Sequence, residues 1–450
     1  MKRLTAWGIE PEKMAKKLLR LVAKKRITQA DVFLRSERND ELELKKSAID
    51  FCRTQPWETV AFLRCHYRGG MSTIQSNLVS TTPEKFASMA ASLAKLSHPD
   101  PEFVSIPRDT PSAFPVKGLF DHHVASLGTD DMVEMANRLI DTAKASEDFV
   151  VEGGVHRTVA RQYYLSCFGT QFHRSTTSVS VSVGVRVERG GEMTRFFDWD
   201  GARRLKDLDV EKPAKRAAEK APSYLGAKSP KTADLPVVVD PHVGLGMLPG
   251  ILAMGAIAEA VQRKRSYFCG KLGQQVAVSG VSLVDDARIP WGFASSTYDG
   301  EGFPHKKLWV VKDGVLESLF HNSYTANKEK VETTAHAAPG YPLGISPTNL
   351  TVPAGDWKLS EMIGEVKEGI FIEEGGFWPN PVTGDASTSL DFAFKIENGE
   401  LAYPLKTTLI GVNVLDMLKR IDAISKETYR IPGTSAPGFR IPSAKISGRG

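Results

Sequence analysis

Apolar residues recur at helical and then at strand spacing along the first hundred residues. The segment EPEKMAKKLLRLVAKKR places its apolar residues on one side with lysines opposite, which predicts a helix packed on a core. ADVFLRSERNDELELKK and WETVAFLRCHYRGGMSTIQS alternate in the manner of strands. Thr82, followed by proline and glutamate, predicts the N-cap of a second helix. This order indicates an α+β N-terminal domain over residues 1–110.

A proline-rich stretch at 98–115 suits a domain boundary or a long connection, and the next segment, residues 111–230, begins within it. TDDMVEMANRLIDTAKAS predicts a polar helix, and TTSVSVSVGVRVERGGEMTRFFDWDG predicts strands. Charged residues dominate 201–230, which predicts a solvated helix leading into a linker.

Short strand patterns dominate residues 231–450. KDG and ENG turns between apolar runs indicate hairpins, and NVLDMLKRIDAIS predicts a late helix. One glycine-rich apolar helix begins near Gly246, directly after the buried strand LPVVVD. The chain is therefore predicted to be α+β, with an α/β N-terminal domain followed by a β-rich C-terminal domain around one central packed helix.

Composition narrows the class of protein. The 450 residues include 41% hydrophobic and 25% charged residues, and the formal charge of +5 is small for a chain of this length. We therefore expect no nucleic-acid partner. No apolar run reaches the ~20 residues of a membrane span, and the N-terminus lacks a secretory apolar region. The four cysteines stand far apart without a CxxC pair, which favours a cytoplasmic protein without disulfides.

Motifs for catalysis are sparse. Two metal-binding histidines on one helix face would stand three to five residues apart, and no histidine pair has that spacing. GxSxG, GxxxxGK[ST] and GxGxxG are absent. Glu332 and His336 would converge if their segment were helical, but its threonines and Pro-Gly favour a loop. A hydrolase that uses Glu332, His336 and His321 as atypical metal ligands is kept as an alternative.

The central helix has no side chain suited to catalysis. Residues 249–257 are all apolar or glycine, so this stretch can neither bind a metal nor activate water. Its small and aliphatic side chains favour close packing instead. The residues expected to form this packed surface are Gly250, Ile251, Leu252, Met254 and Gly255.

Several stretches together resemble the TldD/PmbA family, also called modulators of DNA gyrase. They are LKDLDVE, RKRSYFCGKLGQQVA, SLVDDARIPWGFASSTYDGEG, SPTNL, NPVTGDAS, IENGELAYPL and GVNVLDMLKRIDAIS, and the likeness is strongest after residue 231. TldD-type members are regarded as metallopeptidases, with His-Glu-x-x-x-His on the helix before the RK segment and a late cysteine. Here the residues from Pro249 to Ala256 contain neither histidine nor glutamate, and no cysteine follows Cys269.

These absences, and the PmbA-like NPVTGDAS, resemble the TldE/PmbA branch that lacks the metallopeptidase motif. One departure is the turn at residues 165–169, where LSCFG replaces the family's usual Asn-Ser-x-Gly. The resemblance implies a non-catalytic subunit of a complex that acts on unfolded or extended peptides. It implies that this chain has no cofactor and that a TldD-like partner holds a zinc ion. It is also compatible with a homodimer when the chain is alone. An alternative is a homo-oligomeric binding protein that acts on DNA gyrase.

Two glycine-containing turns are the candidates for a peptide groove. Their glycines would let a peptide backbone approach closely, and their acids would meet a peptide amine. Plain tight turns explain both stretches equally well. The candidate residues are Tyr298, Asp299, Gly300 and Glu301 in the first turn and Asn380, Thr383, Gly384 and Asp385 in the second.

Overall fold

The structure is a computed structural model that describes residues 10–77, 80–339, 344–376 and 378–448, apart from the Leu245 side chain. Its first half is built on one antiparallel sheet. Within the described residues the strands of this sheet are β1 (Gln29–Lys45), β2 (Ala48–Thr54), β3 (Glu58–Tyr67), β4 (Gly70–Asn77), β5 (Phe149–Ser166), β6 (Gln171–Arg189) and β7 (Glu192–Ala202). Their order is β4-β3-β1-β5-β6-β7, with β2 paired to β1.

Helices cover one face of this first sheet in two groups. They are α1 (Pro11–Ala23), α2 (Pro83–Leu96), α3 (His122–Ser126), α4 (Thr129–Ala143) and α5 (Glu211–Ser223). The first two share a core with β1 and β3, and α4 and α5 share another with β5 and β6. The predicted cap of α2 is present, because the Thr82 hydroxyl accepts the Lys85 N–H.

The first sheet joins the two segments that the sequence divides at residue 110. Strand β1 pairs with β3 on one side and with β5 on the other, so strands from 1–110 and 111–230 share one hydrogen-bonded layer. The charged segment 201–230 is also less solvated than predicted. The alanines of α5, among them Ala214, Ala217 and Ala221, are buried against the sheet, whereas Lys212, Lys215 and Glu219 are exposed.

The second half is a larger mixed sheet. Within the described residues its strands are β8 (Ala233–Val239), β9 (Leu283–Asp286), β10 (Lys307–Lys312), β11 (Val315–Leu316), β12 (Leu350–Thr351), β13 (Glu368–Glu374), β14 (Asp385–Leu390), β15 (Phe392–Glu397), β16 (Glu400–Leu405), β17 (Thr408–Asn413), β18 (Ala423–Ile431) and β19 (Thr434–Gly448). The main path runs β11-β10-β9-β12-β19-β8-β13-β15-β16, with β14, β17 and β18 attached through β19. The α+β class predicted from the sequence is confirmed.

The helices of the second half are mostly short. They are α6 (Pro241–Gly255), α7 (Ala258–Gln262), α8 (Ser323–Glu329), α9 (Leu359–Gly364) and α10 (Val414–Arg420). The late helix α10 is shorter than predicted, since Ala423 and Ile424 pair with β19 as the start of β18. Both predicted hairpin turns are present, with positive φ at Asp313 and Asn398 and at the glycine after each. Among the described residues, no helix combines the length and apolar character that a bilayer span requires.

Candidate functional site

Helix α6 is the central helix expected from the sequence, and it packs closely against β19. The Asp240 carboxylate caps it by accepting the His242 N–H (2.8 Å). A Cβ on Gly244 would lie 2.2 Å from the Pro437 carbonyl oxygen, so only glycine permits this approach. Leu248, Ile251 and Leu252 are buried in the main core of the second half.

The SYF residues of the RKRSYFCGK segment close the C-terminal end of α6. The Tyr267 hydroxyl donates to the Ile251 carbonyl (2.5 Å) and the Ser266 hydroxyl to the Gly255 carbonyl (2.6 Å). These two contacts satisfy carbonyls that a helix end leaves without partners. A Cβ on Gly255 would lie 2.6 Å from a Tyr267 ring carbon, so the last turn also requires glycine. The helix stops here, and the Phe320 backbone pairs with Ala256 and Ala258 before α7 begins.

The packed surface predicted on α6 includes one exposed position. Ile251, Leu252 and Gly255 are buried and Met254 is partly buried, whereas Gly250 is exposed. Gly250 stands four residues after the exposed Gly246, on a different face from Gly244. Apart from its chain neighbours and the backbone of the helix itself, nothing lies within 4 Å of a Cβ added to Gly250. The close packing of α6 therefore depends on Gly244 and Gly255.

The residues of α6 do not fit a zinc ion. Zinc in proteins is held by cysteine, histidine, aspartate or glutamate, and none of these occurs from Pro249 to Ala256. In the described parts of the chain, no three or more such side chains are grouped so as to hold a metal. The single titratable side chain of α6, His242, has carboxylate neighbours: Nε2 is 3.3 Å from Asp198 Oδ1 and Nδ1 is 2.9 Å from Glu374 Oε1. Burial opposes protonation, but these carboxylates outweigh it and raise the pKa of His242.

The alternative metal ligands His321, His336 and Glu332 also do not form a site. His336 is buried, with Nε2 3.1 Å from Asp285 Oδ1 and Nδ1 3.0 Å from Thr334 Oγ1. His321 is buried with Nδ1 3.2 Å from Thr325 Oγ1. Glu332 is exposed, and its segment is a loop, so the helical spacing that would bring Glu332 to His336 does not occur.

The first predicted groove turn, residues 298–301, has its acids buried. Asp299 Oδ1 accepts the N–H groups of Glu301 and Phe303 (both 2.9 Å), and Oδ2 accepts that of Ala337 (3.1 Å). Burial, followed by repulsion from the Glu301 carboxylate, raises the pKa of Asp299. A Cβ on Gly300 would lie 2.7 Å from the Pro339 nitrogen. Asp299 thus joins its own loop, residues 299–303, to the loop backbone at Ala337.

Glu301 connects the same turn to the first sheet. Its Oε1 lies 3.2 Å from Arg64 Nη1, and its Oε2 accepts the Ser323 N–H (2.9 Å). The Arg64 guanidinium is also paired with the Asp31 carboxylate, which accepts from the Tyr164 hydroxyl (3.0 Å). All these side chains are buried. The network joins β1, β3 and β5 to the second half of the chain.

Tyr298 performs a similar connecting role. Its ring is stacked on that of Phe172 with 5.7 Å between centroids, and its hydroxyl accepts the Ala113 N–H (3.1 Å). Ala113 belongs to the proline-rich connection at residues 98–115. Tyr298 therefore anchors this connection against the second half.

The second predicted groove turn lies on the surface before β14. The Asn380 side chain accepts the N–H groups of Val382 (2.9 Å) and Thr383 (3.2 Å), and Gly384 has a φ of +80°. Asp385 accepts from the Asn413 amide (2.9 Å). Between described residues, no hydrogen bond or ion pair links this turn to Tyr298–Glu301, so the two turns are not brought into one site.

A cleft of about 520 Å³ lies beside the first turn, between the proline-rich connection and the second half. Val104, Pro107, Phe303 and Val331 provide apolar walls, and Lys306 and Glu332 provide charge of both signs. Phe303 and Ser323 line the cleft. The Asp299 carboxylate accepts the Phe303 N–H, and the Glu301 carboxylate accepts the Ser323 N–H. The sequence indicated a boundary at 98–115 but not the cleft, since its walls come from segments about 200 residues apart.

Comparison with known proteins agrees with this architecture. Residues 232–448 match the PmbA/TldA metallopeptidase C-terminal domain, and residues 122–225 match the PmbA/TldA metallopeptidase central domain. The metalloprotease MJ0996 of Methanocaldococcus jannaschii is 28% identical over 426 residues, which cover 88% of this chain and 90% of the relative.

Two solved structures have the same fold. A protein described as a modulator of DNA gyrase from Bacteroides thetaiotaomicron superposes with a TM-score of 0.87 at 24% identity, over 97% of this chain and 99% of that one. TldE from Thermococcus kodakarensis superposes with a TM-score of 0.85 at 22% identity, over 97% of this chain and 100% of that one. With both domain matches covering most of the sequence, the chain belongs to the TldD/PmbA family, as the resemblance predicted.

Proposed function

We propose that this chain is the non-catalytic, TldE/PmbA-like subunit of a TldD-type metallopeptidase complex. The observation that carries the proposal is α6, whose segment from Pro249 to Ala256 has no zinc-ligand side chain and is mostly buried in the core. In such a complex a TldD-like chain holds the zinc ion and performs the hydrolysis. The complex acts on unfolded or extended peptides.

In this proposal the peptide binds this chain in the cleft beside the Tyr298–Glu301 turn. An extended peptide would place apolar side chains against Val104, Phe303 and Val331, while Lys306 and Glu332 would meet its polar groups. Asp299 and Glu301 act as positioning residues, since they hold the backbone of Phe303 and Ser323. The surface turn at Asn380–Asp385 stays a separate candidate for peptide contact.

Reconstitution with a TldD-like chain tests the subunit proposal. We expect the two purified chains to co-elute in size-exclusion chromatography, and peptide cleavage to require both. This chain alone should have no zinc-dependent peptidase activity. The proposal would be contradicted if the TldD-like chain did not bind this chain and cleaved peptides at the same rate with and without it.

Filling the cleft tests its role in peptide binding. Val331→Trp places a large ring in the cleft at a side chain that is 49% exposed, so folding should be preserved. We expect the reconstituted complex to keep its assembly but to show at least a several-fold higher KM for an unstructured peptide. Leu401→Trp, at an exposed apolar position outside the cleft lining, is the matched control and should leave KM unchanged. Equal KM values for the two variants would exclude this cleft.

A further inference from the structure

A second pocket, of about 390 Å³, lies where the end of β7 and the start of α5 meet the second half of the chain. The first half provides residues between Asp200 and Lys212, and the second half provides the loop 290–293 and the β18–β19 turn at 430–432. We call this the β7–β18 pocket. It shares no lining residue with the cleft beside the Tyr298–Glu301 turn, and its volume is in the range of small-molecule sites.

The carboxylates that line the β7–β18 pocket already have partners within the protein. Asp207 pairs with Arg204 (2.7 Å). Asp209 Oδ1 accepts the Lys212 N–H at the start of α5 (2.9 Å), and Asp200 Oδ2 accepts the Asp209 N–H (2.8 Å). All three acids of the lining therefore bind groups of the chain itself.

Two arginines of the same lining have no carboxylate partner among the described residues. Arg203 Nε donates to the Gly292 carbonyl (3.0 Å), and its terminal nitrogens each lie 3.5 Å from a carbonyl, that of Thr177 or Ser295. A guanidinium group has five N–H bonds, so these contacts leave one on each terminal nitrogen for a ligand. Arg430 is exposed, and its side chain makes no hydrogen bond or ion pair with any described residue.

The missing counter-charge is unusual for Arg203, because its side chain is partly buried. Charges removed from water are normally paired, since an unpaired one loses its hydration without compensation. Burial lowers the pKa of Arg203 to about 10, and no nearby carboxylate offsets this effect. The guanidinium is still charged at neutral pH, so an anion in the pocket would supply the counter-charge that the chain itself does not.

The aromatic wall of the β7–β18 pocket is held in a backbone conformation that tryptophan rarely adopts. Trp291 has a φ of +61°, in the left-handed region that is an outlier for bulky residues. Its ring lies on the Gly118 backbone, where an added Cβ would be 2.4 Å from a ring carbon. The Arg204 guanidinium lies 4.6 Å from the ring centre. Backbone strain of this kind concentrates at ligand sites, which is a second indication that the pocket binds a ligand.

We propose that the β7–β18 pocket binds an oxyanion, a carboxylate or a phosphate, attached to a small apolar body. Arg203 and Arg430 would donate to the oxyanion, since guanidinium groups bind carboxylate and phosphate with the same forked geometry. The apolar body would lie against Phe293, Ile431 and Pro432. Arg203 follows β7 of the first half and Arg430 belongs to the second half, so the bound anion would bridge the two halves.

Calorimetric titration of the full chain, measured alone, tests this site. The probes are inorganic phosphate and N-acetylphenylalanine, with the amide of N-acetylphenylalanine as the uncharged comparison. We expect at least one of the two anions to bind and the amide not to bind. Binding of the phenylalanine acid would identify the source as a carboxylate such as a peptide C-terminus, and binding of phosphate alone would identify it as a phosphate. If neither anion bound, or if the amide bound as tightly as the acid, the proposal would be wrong.

Arg430→Gln tests whether the anion occupies this pocket. The side chain is exposed, so folding should be preserved, and we expect binding of the anion to weaken by about tenfold, a loss typical of one charge-assisted hydrogen bond. Arg265→Gln is the matched control, because Arg265 is exposed and lies outside the pocket lining. Equal affinities of the two variants would overturn the proposal. No TldD-like chain is present in this experiment, so its result is independent of the proposed subunit function.

Discussion

His66 is a buried imidazole whose nitrogens lack hydrogen-bond partners among the described residues. Its ring is stacked on Phe103 with centroids 3.7 Å apart and planes 7° apart. Burial, then repulsion from Arg64, lowers the pKa of His66 to about 3, despite attraction from Asp100. The side chain is therefore a neutral, aromatic part of the core, and protonation opposes folding.

This environment predicts that His66 contributes to acid destabilisation. Below the unfolded-state pKa of about 6.5, His66 is protonated in the unfolded chain but stays neutral in the folded chain. The free energy of unfolding therefore falls as pH falls. Between pH 6.5 and 5 the loss from this group is about 2 kcal/mol. His66→Phe should remove that share of the pH dependence, as measured by urea unfolding at both pH values. The exposed His98→Phe is the control, and equal pH dependence in both variants would contradict this explanation.

At the scale of elements, α6 shows how glycines with different surroundings serve different purposes. Gly255 lies against the buried rings of Tyr267 and Phe268, both within 2.7 Å of an added Cβ. Gly250 has open space around it on the exposed face of the same helix. Close packing thus requires glycine at the first position but not at the second.

Alanine substitutions at these two positions should change stability in opposite directions. Gly255→Ala forces two core rings to move, and we expect it to lower the free energy of unfolding by about 1–3 kcal/mol. Gly250→Ala should raise it by about 0.5–1 kcal/mol, because alanine loses less backbone entropy in a helix. Chemical denaturation of both variants measures the difference. If both variants lost stability to a similar extent, the space available for an added Cβ would not explain the effect of these substitutions.

At the scale of the whole molecule, buried polar contacts join the two halves. Arg64 of β3 bridges Asp31 of β1 and Glu301 of the second half, and all three side chains are buried. The two carboxylates outweigh burial and raise the pKa of Arg64, so the guanidinium stays charged. Removing it would leave two buried carboxylates without a counter-charge.

Arg64→Ala should therefore destabilise the protein by about 3–5 kcal/mol, the cost typical of breaking a buried ion pair from one side. Arg53→Ala is the control, because its pair with Glu41 is exposed and should contribute no more than about 1 kcal/mol. Urea unfolding of both variants provides the comparison. Glu301→Gln in the Arg64→Ala background should recover part of the loss, since it removes one unpaired charge but keeps an acceptor for Ser323.

Local spacing in the sequence was sufficient to predict much of this protein. It predicted the α+β class, the Thr82 cap, the hairpin turns and the central helix α6, and the sequence motifs identified the family. These features depend on residues close together in the chain, where helix and strand periods and turn chemistry act directly.

Only the tertiary structure decided what lies far apart in sequence. It placed β1 between β3 and β5, buried Asp299 and Glu301 of a turn that was a candidate for the peptide groove, and formed the cleft from residues near 105 and near 330. It also placed β4 at the edge of the first sheet, where Gly70 bridges to Pro99. The burial of a side chain, the pairing partner of a strand and the pKa of a titratable group depend on which distant segments come into contact. The period of a local pattern contains no information about those contacts.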